Sequence, residues 1–196
     1  MTDRMADEVE TKAGTRERLL SAAEGLLLSE EYDEVSVRGI CAAAGANPAA
    51  VHYHFGSKDA LVTALLEDRL EPLWADRLGA AAEYGSVGAV VDAILGPFVE
   101  LSADPLGQLH LRLLAKFVLG RHPMAFDQHW FRLGSWVGLL PDLGARESRR
   151  RWIVAFDLII LRFGGGGLEP EVARAAVATL RDFVIAGLTA PTGQQR

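Results

Sequence analysis

Apolar positions along this chain recur every three or four residues, not every two, and that spacing predicts helices nearly throughout. Leu19, Leu20, Ala23, Leu26 and Leu27 form the first such series, with Thr15 placed as its N-cap and an end expected near Ser29. A short second helix is predicted after Ser36, with Val37, Ile40 and Cys41 facing inward. Gly45 ends it, because the left-handed backbone that closes a helix suits glycine. Asn47-Pro48 then reads as a compact helix start: Asn accepts backbone N–H bonds and Pro fits the first helical position. This third helix runs only to about Phe55, since Gly56-Ser57 interrupts it. Ser57 caps a fourth, which carries Leu61, Leu65, Leu66, Leu70 and Leu73 towards an expected kink at Pro72 and Trp74.

Helical character continues through segments 86–103, 106–120, 124–140, 145–163 and 170–188. They are separated by Tyr84-Gly85, Asp104-Pro105, His122-Pro123, Pro141-Asp142 and the glycine run 164–167, which reads as a flexible link. No strand alternation or internal repeat interrupts them, so the expected fold class is all-α. A three-helix head is expected over residues 15–57 and a larger helical body over 58–190. The polar, aperiodic arm 1–14 and the tail 191–196 are expected to be flexible.

Composition narrows the classes of function. A chain of 196 residues with about half its positions apolar can bury a sizeable core. Its formal net charge of -6 argues against indiscriminate coating of nucleic acid. Yet residues 35 to 58 contain no acidic side chain, so a local docking face for an anion is open. One cysteine, Cys41, excludes an intrachain disulfide and reads as a small buried apolar residue. His110, His122 and His129 lack the spacing of a zinc site, so no metal or other cofactor is expected. With no secretion signal and no apolar run of membrane length, a cytoplasmic protein with no membrane partner is expected.

The stretch from Ala44 to Lys58 has the parts of a helix-turn-helix lying on DNA. Small residues at Ala42, Ala43, Ala44 and Gly45 let two helices meet closely. Val51 and Phe55, at i and i+4, form the expected hidden face of the reading helix. Asn47, Ala49, Ala50, His52 and Tyr53 are left for the outer surface, although Asn47 can serve as a cap alone. Ser36 and Lys58 sit at helix N-termini where an anion is favoured, and Tyr53 and His54 offer donors. Arg38 is either a further phosphate contact or an ordinary solvated charge, and Thr15 and Arg16 can reach a flanking strand.

Thr15-Arg-Glu-Arg-Leu-Leu, Val35-Ser-Val-Arg-Gly-Ile, Ala43-Ala-Gly-Ala-Asn and Val51-His-Tyr-His-Phe-Gly-Ser-Lys-Asp-Ala-Leu together resemble the N-terminal domain of TetR-family transcriptional repressors. The resemblance spans about residues 15–70. It implies a homeodomain-like head on double-stranded DNA at a palindromic operator, and a homodimer whose bodies supply an interface and a pocket for a small-molecule effector. It also implies phosphate contact for Ser36, Tyr53, His54 and Lys58, and groove contact for Asn47, Pro48, Ala49, Ala50 and His52. His52 departs from the Tyr or Asn often found at its place.

In the body, Trp74, Phe98, His110, Phe117, Trp130 and Trp136 are candidates to line an effector pocket, and plain core is the competing reading. Trp152, Phe156, Ile159 and Phe163, with Ala176, Leu180, Phe183 and Val184, are candidates for a four-helix dimer interface. Burial of both helices within one subunit competes with that. The charged run 146–151 reads as a solvated helix start. No paired acid and base or activated nucleophile recurs at a useful spacing, so an enzyme is not expected.

Overall fold

A computed structural model describes residues 2–122, 132–140, 142–165 and 170–192. Among the described residues eight α-helices follow in order: α1 Thr2–Leu27, α2 Val37–Ala43, α3 Ala50–Phe55, α4 Lys58–Tyr84, α5 Val87–Leu101, α6 Pro105–Leu119, α7 Ala145–Gly164 and α8 Pro170–Thr189. A 3₁₀ segment, Leu133–Leu139, precedes α7. The chain is all-α as expected, with no strand among the described residues. It divides into two compact units, residues 1–65 and 66–196.

Three boundaries differ from the expectation. Residues 2–14 of the expected arm are helical, and α1 runs straight through Thr15. Ala, Glu, Asp and Lys there are compatible with a helix, and no proline stops it. The head reaches Leu65 instead of Ser57 because the first two turns of α4 bury Leu61, Val62 and Leu65. Segment 124–140 is not one α-helix: its described part is 3₁₀, where Gly134 and Gly138 weaken α-helical propensity. The remainder, with Trp130, lies outside the described residues, as do Gly166 and Gly167 of the glycine run.

The head core is built from the predicted series. Leu19, Leu20 and Ala23 of α1 meet Ile40 and Cys41 of α2 with no more than 1% exposure each, and Val51 of α3 is fully buried. In the body, Asp104 caps α6 by accepting from the N–H groups of Leu106 and Gly107, both at 3.0 Å. Ser86 caps α5 in the same way through Ala89. Pro72 lies inside α4, which continues past it to Tyr84.

Gly164 is not a link. A Cβ there would fall 2.1 Å from the Ala115 Cβ, so glycine is what lets the end of α7 touch α6. Nor is the charged run 146–151 merely solvated. Arg151 donates to the carbonyls of Leu188, at 3.0 Å, and Ala190, tying down the C-terminal end of α8. Its Nε meets Glu147 at 3.1 Å. Arg181 of α8 pairs both carboxylate oxygens of Asp92 on α5. Those hydrogen bonds hold the Asp92 carboxyl below its usual range against the opposing effect of burial, with the guanidinium charge adding to the lowering.

The described candidate pocket rings pack against other rings, in separate clusters. Trp74 is buried, donates from Nε1 to the Ile94 carbonyl at 2.9 Å, and meets Phe98 edge-on at 5.2 Å. Phe98 in turn meets Phe163 at 5.2 Å. Trp136 lies 5.1 Å from Trp152 and 4.8 Å from Phe156, on a separate cluster. Phe117 stacks on His122 at 4.6 Å, and His110 is buried. A groove of about 240 Å³ does exist, between α7 and α8, but none of these residues lines it. It is bounded by Arg150, Val154, Leu158, Phe183 and Gly187 among others.

The interface candidates also divide. Trp152 and Ile159 are fully buried within the subunit, and Leu180 and Val184 nearly so. Ser148, Trp152, Ala155 and Ile159 recur at i, i+4, i+7 and i+11, which makes them the inner face of α7. Phe156, Phe163 and Ala176 are half-buried. Only Phe183 of the eight is open, at 66% exposure, and the outer face of α7 is carried by Val154 and Leu161 instead.

Candidate nucleic-acid interface

The interface is built on two short helices and a tight reversal. Ser36 is extended and its Oγ accepts from the Gly39 N–H at 3.0 Å, starting α2. Behind α2 the chain turns at Gly45, whose φ of 58° lies in the left-handed region. Its reversal is closed by the Ala46 N–H donating to the Cys41 carbonyl at 2.9 Å. Asn47 Oδ1 then accepts from the Ala49 N–H at 2.9 Å, and the Ala50 N–H bonds the Asn47 carbonyl. Asn47 therefore closes the turn that leads into α3, whose own N-cap position, Ala49, has no side-chain cap bond. The Cys41 thiol faces the Pro48 carbonyl at 3.6 Å, so this buried cysteine fastens α2 to the entry of α3.

α3 presents one face inward and one outward. Ala50 and Val51 are buried, while Asn47, Pro48, Ala49, His52 and Tyr53 are exposed, Tyr53 by 71%. The spacing of Pro48, Ala49, His52 and Tyr53 is i, i+1, i+4 and i+5, a continuous outer strip. Its side chains near the start are small, and no carboxylate lies on it. The His52 ring is fixed on this strip: Nδ1 lies 3.0 Å from the Gly56 carbonyl. Tyr53 meets His54 edge-on at 5.1 Å, which holds the phenol beside a half-buried imidazole.

Three expected roles change. Ala50 cannot reach a groove, because its methyl belongs to the inner face. Phe55 is half-buried, not core, and the Arg16 guanidinium lies 5.6 Å from its ring centre. Lys58 points inward: Nζ donates to the Tyr32 and Val35 carbonyls, each at 2.8 Å, and sits 4.1 Å from the Tyr32 ring centre. Two of its three protons are thus committed to the α1–α2 connection. Ser36 and Arg38 are exposed, and Thr15 is half-buried, accepting from Arg18 at 3.2 Å.

Sequence reasoning missed the partner of Lys58. The Tyr32 hydroxyl donates to Asp59 Oδ1, in the first turn of α4. Burial, that hydrogen bond and the nearby Asp59 and Asp33 charges raise the phenol well above its ordinary range. A lone aromatic in the polar run Glu30-Glu31-Tyr32-Asp33 was the available signal. Lys58→Met keeps the stem over the ring and deletes both hydrogen bonds. It is expected to lower head stability by about 2 kcal/mol in urea denaturation. Unchanged stability would mean the ammonium is not needed where the structure puts it.

Residues 19–65 match the sequence profile of the family described as "Bacterial regulatory proteins, tetR family". The match covers the head alone, and it is the head that resembles this family. Among curated relatives, the HTH-type transcriptional regulator UidR of Escherichia coli strain K12 is 33% identical over 63 residues, 32% of this chain and 32% of UidR. UidR of Shigella flexneri matches over the same extent. The matched region thus spans about a third of the length of these relatives. Across the larger part of the chain the likeness is one of fold. A TetR-family regulator from Streptomyces coelicolor superposes with a TM-score of 0.55 at 23% identity, covering 90% of this chain and 96% of that one. The TetR-family repressor AlkX from Dietzia sp., implicated in biodegradation of n-alkanes, superposes with a TM-score of 0.52 at 18% identity, covering 86% and 94%. The TetR fold, a helix-turn-helix head and a helical body, therefore accounts for nearly all of this chain.

Proposed function

We propose that the protein is a DNA-binding transcriptional regulator, a homodimeric repressor that holds a palindromic operator and leaves it when a small hydrophobic effector enters the body. It works in the cytoplasm and performs no catalysis. The observation carrying this reading is the outer strip of α3, exposed from Pro48 to Tyr53 and anchored from behind by Ala50 and Val51. Small side chains at Pro48 and Ala49 let the backbone approach the major groove, where an alanine methyl can rest on a thymine methyl. Ser36, Tyr53 and His54 supply donors to phosphate oxygens, with Thr15, Arg16 and Arg38 at the flanks. Lys58 acts through Tyr32 and Val35, positioning the connection instead of touching DNA.

Exposed Val154, Leu161 and Phe183 support pairing of two bodies, since apolar side chains this open on a soluble protein favour burial against a partner. Two-fold pairing would present two reading helices to successive major-groove faces about 34–36 Å apart. An effector can upset that spacing only by binding one arrangement more tightly than the other. The packed ring clusters favour a second reading for the body, in which the same head is controlled without a small ligand.

Selection of bound duplexes from a random pool, followed by the mass of the resulting complex, tests the proposal. A two-fold-symmetric consensus bound by two chains is expected. A single unrepeated site bound by one chain, or no enrichment, would contradict it. Thermal-shift screening with hydrophobic compounds separates the two readings of the body.

A further inference from the structure

We infer that His52 reads its base as a hydrogen-bond acceptor, presenting the Nε2 lone pair to the exocyclic amine of adenine or cytosine in the major groove. The inference rests on the DNA-reading function proposed above and adds the polarity of one contact. Its starting point is the 3.0 Å approach of Nδ1 to the Gly56 carbonyl. A carbonyl oxygen only accepts, so Nδ1 must carry the proton. In a neutral imidazole the other nitrogen is then bare, with a lone pair and no hydrogen. The Gly56 carbonyl is well placed to enforce this, because Gly56 has a φ of 82° and closes α3 against the chain direction.

The polarity decides what His52 can touch. A bare nitrogen repels a phosphate oxygen, so a neutral His52 is a poor backbone contact. Thymine O4 and guanine O6 and N7 are also acceptors and are equally unsuitable. Adenine N6 and cytosine N4 carry the amines that the major groove displays, and either would complete the bond. Tyr53 is the other polar side chain on the strip, and its hydroxyl both donates and accepts, so it fixes no polarity. Pro48 and Ala49 have no polar side-chain atom, and Asn47 has given its oxygen to the Ala49 N–H. Exposed His52 lies one turn beyond Ala49, on the same side of α3.

The full chain, H52F and H52K are each taken through selection from random duplex DNA at mildly alkaline pH. The wild type is expected to prefer adenine or cytosine at one position per half-site by about fivefold, the worth of one net hydrogen bond. H52F should level that position to within about twofold and leave the other positions alone. H52K, a donor only, should move it to guanine. Binding to a duplex whose chosen adenine lacks the 6-amino group, or whose cytosine lacks the 4-amino group, tells the two amines apart and should fall by the same factor.

The inference is overturned if H52F keeps every wild-type preference, or if the wild type already selects guanine where H52K does. It is also overturned if H52F weakens all duplexes alike with a shallower salt dependence, the mark of a doubly protonated ring on phosphate. Enrichment that ignores residue 52 defeats this inference alone. A wild type that enriches no sequence defeats the DNA-reading function as well.

Discussion

Ala49→Glu is expected to abolish specific DNA binding, with a loss of at least about 100-fold, while the protein stays folded. The methyl it replaces is exposed at the start of α3, where a longer side chain meets no protein atoms that must move aside. A carboxylate near a helix N-terminus is electrostatically tolerated, so the fold has no reason to object. On the operator the same carboxylate faces phosphates and base edges at short range, and like charges brought together there cost several kcal/mol. A dimer would suffer that repulsion twice. Fluorescence anisotropy with the selected duplex, beside a thermal melt, reads both halves. Retained affinity would remove α3 from the DNA surface.

The largest effect on stability is expected from Trp152→Ala, at about 3–5 kcal/mol for a fully buried aromatic side chain. Trp152 has no exposed surface, lies 5.1 Å from Trp136 and 5.7 Å from Phe156, and sits on the inner face of α7. Removing it empties the junction between α7 and the 3₁₀ segment. Ser148, one turn earlier, already donates to the Val137 carbonyl across that junction at 2.8 Å. Trp152 Nε1, however, is buried with no hydrogen-bond partner among the described residues. Trp152→Phe therefore keeps most of the packing and deletes an unsatisfied donor, so it should cost much less than the alanine change. Equal losses for both variants in urea denaturation would mean the indole nitrogen has an unseen role.

How much was legible depended on whether a side chain's fate was set locally. Gly45, Asn47 and Ser36 are governed by backbone geometry within three residues, and each is where the sequence placed it. Lys58 was not legible, because its carbonyl partners lie 26 and 23 residues earlier in a loop without a pattern. Ala50 differs from Ala49 only in helical phase, and the phase of so short a helix depends on where its first turn begins. The arm before Thr15 carried no apolar series, yet helix formation needs no apolar stripe when nothing breaks the run.

In the body the difficulty was of another kind. α7 is apolar around more than half its circumference, so the sequence offered two faces and could not rank them. Trp152 and Ile159 went inward, and Val154 and Leu161 stayed out. The candidate pocket rings had the same ambiguity between core and lining. Trp74, Phe98 and Trp136 resolved it by packing against other rings. Gly164 was read as slack chain although its value lies in the missing Cβ beside Ala115.

The most direct test of the central claim is the affinity of the full chain for its selected duplex and for a scrambled one, measured as salt rises. For a head docked through several phosphates, affinity should fall steeply between about 50 and 200 mM salt, on the order of 10³-fold if about six phosphates are neutralised. The selected duplex should stay the tighter of the two throughout. Equal affinity for both duplexes, with little dependence on salt, would contradict the reading of α3 and its flanks as a DNA-binding surface.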